Sequence, residues 1–127
     1  MPHFIIDCSE NILSLKSPEE IMQLVYKTAN STGLFAEDDI KVRINPYKYY
    51  QLGKTKKDFL HVFSYIMEGR TTEQKAMLSK NIIEALNAMF PAISILSINI
   101  KEFEKATYCN KALLHPGNID NDRHFKI

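Results

Sequence analysis

Apolar and polar positions alternate over residues 2–8, with Phe4, Ile6 and Cys8 on one side and His3, Ile5 and Asp7 on the other. A period of two predicts a strand. After a polar stretch, Ser17-Pro18-Glu19-Glu20 predicts a helix start: Ser17 can cap, Pro18 suits the first helical position, and Glu20 can close a capping box. Ile21, Leu24, Val25 and Thr28 then share one helical face, and Gly33 is placed to end the helix. Alternation returns over 40–45, with Ile40, Val42 and Ile44 against Lys41, Arg43 and Asn45. Pro46 and Tyr47-Lys48-Tyr49-Tyr50 are expected to leave that strand, and Gly53 to Lys57 reads as a polar loop.

The second half repeats this order. Phe59 to Met67 is a near-continuous apolar strand, broken by Glu68-Gly69-Arg70. Thr71 and Gln74 have the spacing of a second capping box. Leu78, Ile82, Ile83, Leu86, Met89 and Phe90 follow at helical spacing until Pro91, and Ile93 to Ile100 reads as a last strand. The pattern predicts strand–helix–strand twice, an internal duplication of about 58 residues. We therefore expect one domain over 1–127, with repeats at 2–57 and 58–105 and a tail at 106–127 holding at most a short strand or turn. The fold class is α/β (α+β): each unit is a right-handed crossover with parallel strands, giving a four-stranded mixed sheet with two helices on one face. The 59–67 strand is apolar on both sides, Leu60, Val62 and Ile66 against Phe59, Phe63, Tyr65 and Met67, and such a strand wants both faces covered. Two helices cover one face, so other subunits are expected on the open one.

A chain of 127 residues with 45% hydrophobic residues can build its own core without metal or disulfide staples. Sixteen basic against fifteen acidic residues leave a net charge of +1, which argues against a general electrostatic grip on nucleic acid or an anionic membrane. No apolar run approaches the roughly 18 residues of a membrane span. The N-terminus lacks a basic lead and carries Asp7, so a signal peptide is not expected and the setting is read as cytoplasmic. The two cysteines, Cys8 and Cys109, fit that setting, and Cys8 reads as a small apolar strand residue. His3, His61, His115 and His124 show no metal-ligand spacing, and His61, within an apolar strand, reads as a hydrogen-bonded core histidine. There is no phosphate-cradling glycine loop at Gly69 and no local signature of a Ser–His–acid triad.

Candidate chemistry centres on Pro2. Removal of Met1 would leave a free secondary amine at the start of a strand. An α-amino group has a pKa of about 8, so roughly a tenth is neutral at pH 7. Desolvation and a nearby cation both favour the neutral form, and a drop of one to two units costs only about 1.4–2.7 kcal/mol. The result is a base near working pH. On the residues alone, a chance residue in a start context is the commoner reading of Pro2.

The run Pro-His-Phe-Ile-Ile-Asp-Cys-Ser-Glu-Asn-Ile at 2–12 resembles the opening of 5-carboxymethyl-2-hydroxymuconate isomerases, members of the tautomerase superfamily. Ile66-Met67-Glu68-Gly69-Arg70-Thr71-Thr72-Glu73-Gln74-Lys75 resembles the strand-to-helix junction of the short tautomerases. The resemblance runs over about residues 2–105. It implies a homotrimeric isomerase, free of cofactors, with the N-terminal proline as general base acting on a small unsaturated 2-hydroxy polycarboxylate. In the short tautomerases an arginine follows the catalytic proline by ten residues. Arg70 stands ten after Leu60, whereas Ile12 stands ten after Pro2. The resemblance thus implies a site combining Pro2 of the first unit with Arg70 of the second, in the same or an adjacent subunit.

The chain has three arginines against thirteen lysines. A guanidinium grips a carboxylate through two parallel bonds, which a lysine cannot do. Arg70 is the first candidate for holding substrate and steadying dienolate charge, followed by Arg43 and Lys41 on one strand face; the last two are equally readable as solvated edge charges. Relatives can carry arginine where Lys41 stands, and tryptophans around Pro46 and Tyr50, whereas this chain has no tryptophan. Tyr50, with Tyr47 and Tyr49, is the expected aromatic replacement. The competing expectations are another tautomerase-superfamily activity (4-oxalocrotonate-like tautomerase, dehalogenase or decarboxylase) and a trimeric small-molecule-binding protein without turnover.

Overall fold

The computed structural model describes residues 1–114. Four strands and two helices follow in the order β1 (His3–Ser9), α1 (Pro18–Ser31), β2 (Lys41–Tyr47), β3 (Leu60–Met67), α2 (Thr72–Met89) and β4 (Leu96–Phe103). Short 3-10 turns stand at Glu10–Ser14, Glu37–Asp39 and Lys111–Leu114.

Both helices begin where the sequence places them. Ser17 Oγ accepts from Glu20 N at 3.1 Å while Glu20 Oε1 accepts from Ser17 N at 3.1 Å. Thr71 and Gln74 make the same reciprocal pair at 3.1 and 2.8 Å. Each box satisfies two donors that a helix start otherwise leaves unpaired. Gly33, at φ 73°, turns the chain out of the end of α1 in the left-handed region that glycine enters without steric cost.

The strands form one sheet in the order β2-β1-β3-β4. β1 runs parallel to β2 and β3 parallel to β4, so each half is a βαβ unit, and the antiparallel pair β1–β3 joins the halves. Phe4, Ile6 and Cys8 of β1 and Leu60, Val62 and Ile66 of β3 are fully buried. They share a core with Ile21, Val25 and Ala29 of α1 and Leu78, Ile82 and Leu86 of α2. The alternate residues His3, Ile5, Asp7, His61, Phe63 and Tyr65 face away from that core and are half-buried. Burial, with the Asp7 carboxylate adding to it, pushes the Cys8 thiol up to about 11, so it behaves as the apolar strand residue the pattern indicated. His61 is hydrogen-bonded through both ring nitrogens, to Ser97 Oγ (2.6 Å) and Asn99 Oδ1 (2.7 Å).

Two strands differ from expectation by more than one residue. β2 continues through Pro46 and Tyr47, which pair with Cys8 and Ser9. It can do so because β2 is an edge strand, where proline's missing N–H costs no ladder bond. β4 starts at Leu96, not Ile93, because Ile93 N closes a turn onto Phe90 O at 3.2 Å after Pro91. The tail holds a short turn, as expected, at Lys111–Leu114, while residues 115–127, with His115 and His124, lie outside the described residues.

Candidate active site

Pro2 is buried, and its carbonyl accepts from Lys41 N at 3.1 Å, which ties the start of β1 to the start of β2. Met1 precedes it. The Met1 amine donates to Asp39 O at 3.2 Å and stands 3.8 Å from the Asp39 carboxylate. Met1 is buried, and its side chain packs on Met67, with Phe103, Tyr108 and Leu113 around them. While Met1 is attached, the Pro2 nitrogen is an amide and cannot take a proton. The expected chemistry therefore belongs to the chain without Met1.

Arg70 lies at the same end of the sheet. His3 pairs with Tyr65, so the antiparallel register carries the strand start toward Ile66 and Met67. Gly69, at φ 121°, turns the chain after β3 and brings Arg70 back beneath it. Arg70 is only 4% exposed; its Nη1 donates to Met67 O at 3.2 Å and its Nη2 to Leu34 O at 2.8 Å. The guanidinium carbon stands 4.8 Å from the Phe35 ring centroid, and Phe35 in turn packs edge-on against Phe4 at 6.1 Å. A buried cation held by two carbonyls and an aromatic face is a fixed positive charge at the turn after β3, at the end of the sheet where β1 starts.

Lys41 and Arg43 pair with His3 and Ile5 on the face away from the helices. Lys41 Nζ donates to Asp39 O at 2.7 Å. Arg43 Nη1 stands 3.1 Å from His3 Nδ1. A guanidinium is always a donor, so this contact requires the His3 tautomer whose Nδ1 accepts. Burial first, then Lys41, Arg43 and the terminal amine, hold His3 below the ordinary histidine value of about 6.5. His3, Ile5, Arg43, Tyr65 and Phe103 line a cavity of about 280 Å³ on this face. Phe103 meets the His3 ring edge-on at 5.9 Å, stacks with Tyr65 at 6.0 Å and touches Tyr108 at 5.6 Å.

Tyr50 is not part of this cluster within one chain. Its hydroxyl donates to Lys57 O at 2.8 Å and its ring packs on Phe59 at 5.6 Å. Those residues adjoin Leu60, which pairs with Cys8 at the opposite end of β1 from Pro2. Pro2, Arg70, Lys41 and Arg43 thus gather at one sheet end, and Tyr50 at the other. The structure adds Asp39, His3, Tyr65, Phe103 and Tyr108 to that end. Phe103 and Tyr108 follow the last clear alternation, so only the β3–β4 register, which sets Phe103 opposite Met67, could have revealed them. Among the described residues, no group of three His, Cys, Asp or Glu is placed to hold a metal ion.

His3 makes stability pH-dependent with a definite sign. Its folded-state affinity for a proton is lower than in the unfolded chain, so the unfolded state binds more protons below about pH 6.5. Stability is expected to fall as pH drops from 7 to 5, and His3→Gln, whose amide oxygen can still accept from Arg43, is expected to lose less. Thermal melts of both proteins across that range check this, and parallel curves would contradict it.

A family model described as 5-carboxymethyl-2-hydroxymuconate isomerase matches residues 2–117. The chain belongs to this family. It is 27% identical over 95 residues to a 5-carboxymethyl-2-hydroxymuconate Delta-isomerase of Escherichia coli, covering 73% of this chain and 75% of that one. A 5-carboxymethyl-2-hydroxymuconate isomerase of Deinococcus radiodurans has the same fold at TM-score 0.76 and 23% identity, with 87% and 88% of the two chains covered. A fused 4-OT, solved as an asymmetric trimer, superposes at TM-score 0.71 with 14% identity over 86% of this chain and 92% of that one. The fold is that of the tautomerase superfamily, and the family supports isomerase or tautomerase chemistry. Among the described residues no helix is long and apolar enough to cross a membrane.

Proposed function

We propose that the chain lacking Met1 is a cofactor-independent isomerase. It moves a proton within a small unsaturated 2-hydroxy polycarboxylate such as 5-carboxymethyl-2-hydroxymuconate. The observation that carries this reading is the gathering of Pro2, buried Arg70 and the Lys41–Arg43 pair at one end of the sheet, beside the cavity.

The neutral Pro2 nitrogen takes the proton of the 2-hydroxyl. The oxygen's electron pair re-forms the carbonyl, the conjugated double bonds shift, and the same nitrogen returns a proton to a distant carbon. No net charge or electron is gained. Charge on the dienolate is greatest midway, and preorganised cations stabilise it. Because its Nη atoms serve two backbone carbonyls, Arg70 acts as a fixed charge: it disfavours protonated Pro2 and favours the dienolate. The Asp39 carboxylate beside the strand start pulls the other way. Arg43, held by His3 at the cavity, is the side chain able to grip a carboxylate with two bonds, and Lys41 adds positive charge.

A homotrimer is part of this reading. The face bearing Ile5, Phe63 and Tyr65 is only half-covered, and a trimeric relative shares the fold. Tyr50 reaches a substrate at Pro2 only from another subunit. A role in degrading aromatic compounds follows from the family's substrate class, and the two free cysteines fit a cytoplasmic setting.

Two measurements test the reading together. The processed chain is expected to accelerate ketonisation of the enol over buffer, and to sediment at micromolar concentration as three chains. A rate equal to that of buffer overturns the activity, and a 14.7 kDa species overturns the assembly.

A further inference from the structure

We infer that the niche filled by the Met1 side chain is a subsite for an unbranched substrate arm, and that Asn110 reads the arm's end. This rests on Pro2 being the base. Met1 Cα is joined to the Pro2 nitrogen through its carbonyl carbon, so the Met1 side chain leads directly away from the reacting atom. It runs into space enclosed by Met67, Phe103, Tyr108 and Leu113 and is 7% exposed there. Removing Met1 takes away the whole occupant. What remains beside the new amine is an apolar slot shaped to a straight side chain.

Among the described residues, Asn110 places an oriented polar group at the slot. Asn110 Oδ1 accepts from Leu113 N at 3.1 Å, which fixes which way the amide faces. Its Nδ2 then points at Met1 Sδ, 3.7 Å away. A thioether is a weak acceptor, so this donor is held toward the niche with a poor partner. A carboxylate oxygen at the end of an arm would be a far better one. The segment bearing Asn110 is itself anchored: Tyr108 N and Thr107 N both donate to Glu104 O, and Lys105 N donates to Glu68 Oε2. The ligand class is therefore an enol whose skeleton carries a short unbranched arm ending in a carboxylate. An enol without the arm leaves the slot empty. Substrate choice would lie in residues 104–114, outside the duplicated βαβ units.

The test uses the full chain with Met1 shown to be absent by intact mass. kcat/KM is measured for 5-carboxymethyl-2-hydroxymuconate and for 2-hydroxymuconate, which lacks the arm. In Asn110→Ala the preference for the armed substrate is expected to fall at least about tenfold, mainly through KM, the effect of losing one hydrogen bond to a charged group. Asn110→Asp keeps the acceptor for Leu113 N but sets a negative charge against the arm, so its preference is expected to fall further. An unchanged preference in both variants overturns the inference. If the processed wild type turns over neither enol, the base assignment fails on its own. Calorimetry with glutarate as the probe then decides the subsite: binding lost in Asn110→Asp supports it, and no binding, or equal binding in both proteins, overturns it.

Discussion

A chain that keeps Met1 is expected to ketonise its enol about 100- to 10,000-fold more slowly than the processed chain, the usual contribution of a positioned general base. The cause is electronic. In the chain with Met1 the Pro2 nitrogen shares its lone pair with the Met1 carbonyl, and the Met1 side chain fills the adjoining niche. Pro2→Ala is a milder change, because processing still leaves a terminal amine at the same place; its loss should fall between the two. Stopped-flow ketonisation of the three proteins, each with its mass verified, orders them. Equal rates with and without Met1 would remove Pro2 from the mechanism.

Arg70→Ala should be the most damaging single substitution, for two separable reasons. It strips the donors from Met67 O and Leu34 O in a site where the arginine is 4% exposed, and it removes the cation from the Phe35 ring. Leaving buried carbonyls unpaired costs about 2–4 kcal/mol in total, a Tm drop of about 10 °C or more for a chain of this size. The second reason is electrostatic. Without this cation, protonated Pro2 is less disfavoured, so its pKa rises and the acid limb of kcat/KM moves to higher pH. Arg70→Lys retains a charge on a single ammonium that cannot reproduce the planar two-carbonyl fork. It should lose stability while keeping most of the pH profile. An Arg70→Ala profile superposable on the wild type would confine Arg70 to a structural role.

The arrangement of Arg70 was only partly readable in advance. Its ten-residue offset from Leu60 marked it, but the sequence pointed to a carboxylate grip. The structure gives its fork to two backbone carbonyls, one of them 36 residues away in the turn after α1. Nothing in the local pattern around Arg70 indicates that Leu34 ends there. Tyr50 shows the converse. Its aromatic character was legible, but its place at the Leu60 end of β3 follows from the β1–β3 register. Asn110 stood in a segment with no alternation to read, and its meaning comes from the Met1 sulfur it faces.

Local chemistry written in the chain was enough for the two capping boxes, the strand–helix–strand order repeated twice, the apolar face of β1 and of β2 and the proline next to the start. These depend on side-chain periodicity and on bonds spanning three or four residues. Tertiary structure alone decided which ends of the strands meet, that Arg70 donates to the carbonyls of Met67 and Leu34, that His3 holds Arg43, and that the 104–114 segment closes over Met1. Apart from the Arg70–Met67 bond, those contacts join residues 36 to 109 positions apart. They are set by how the strands pair, β1 with β2 for His3 and Arg43, β1 with β3 and β3 with β4 for the closure over Met1, and by the return of the chain after α1 for Leu34.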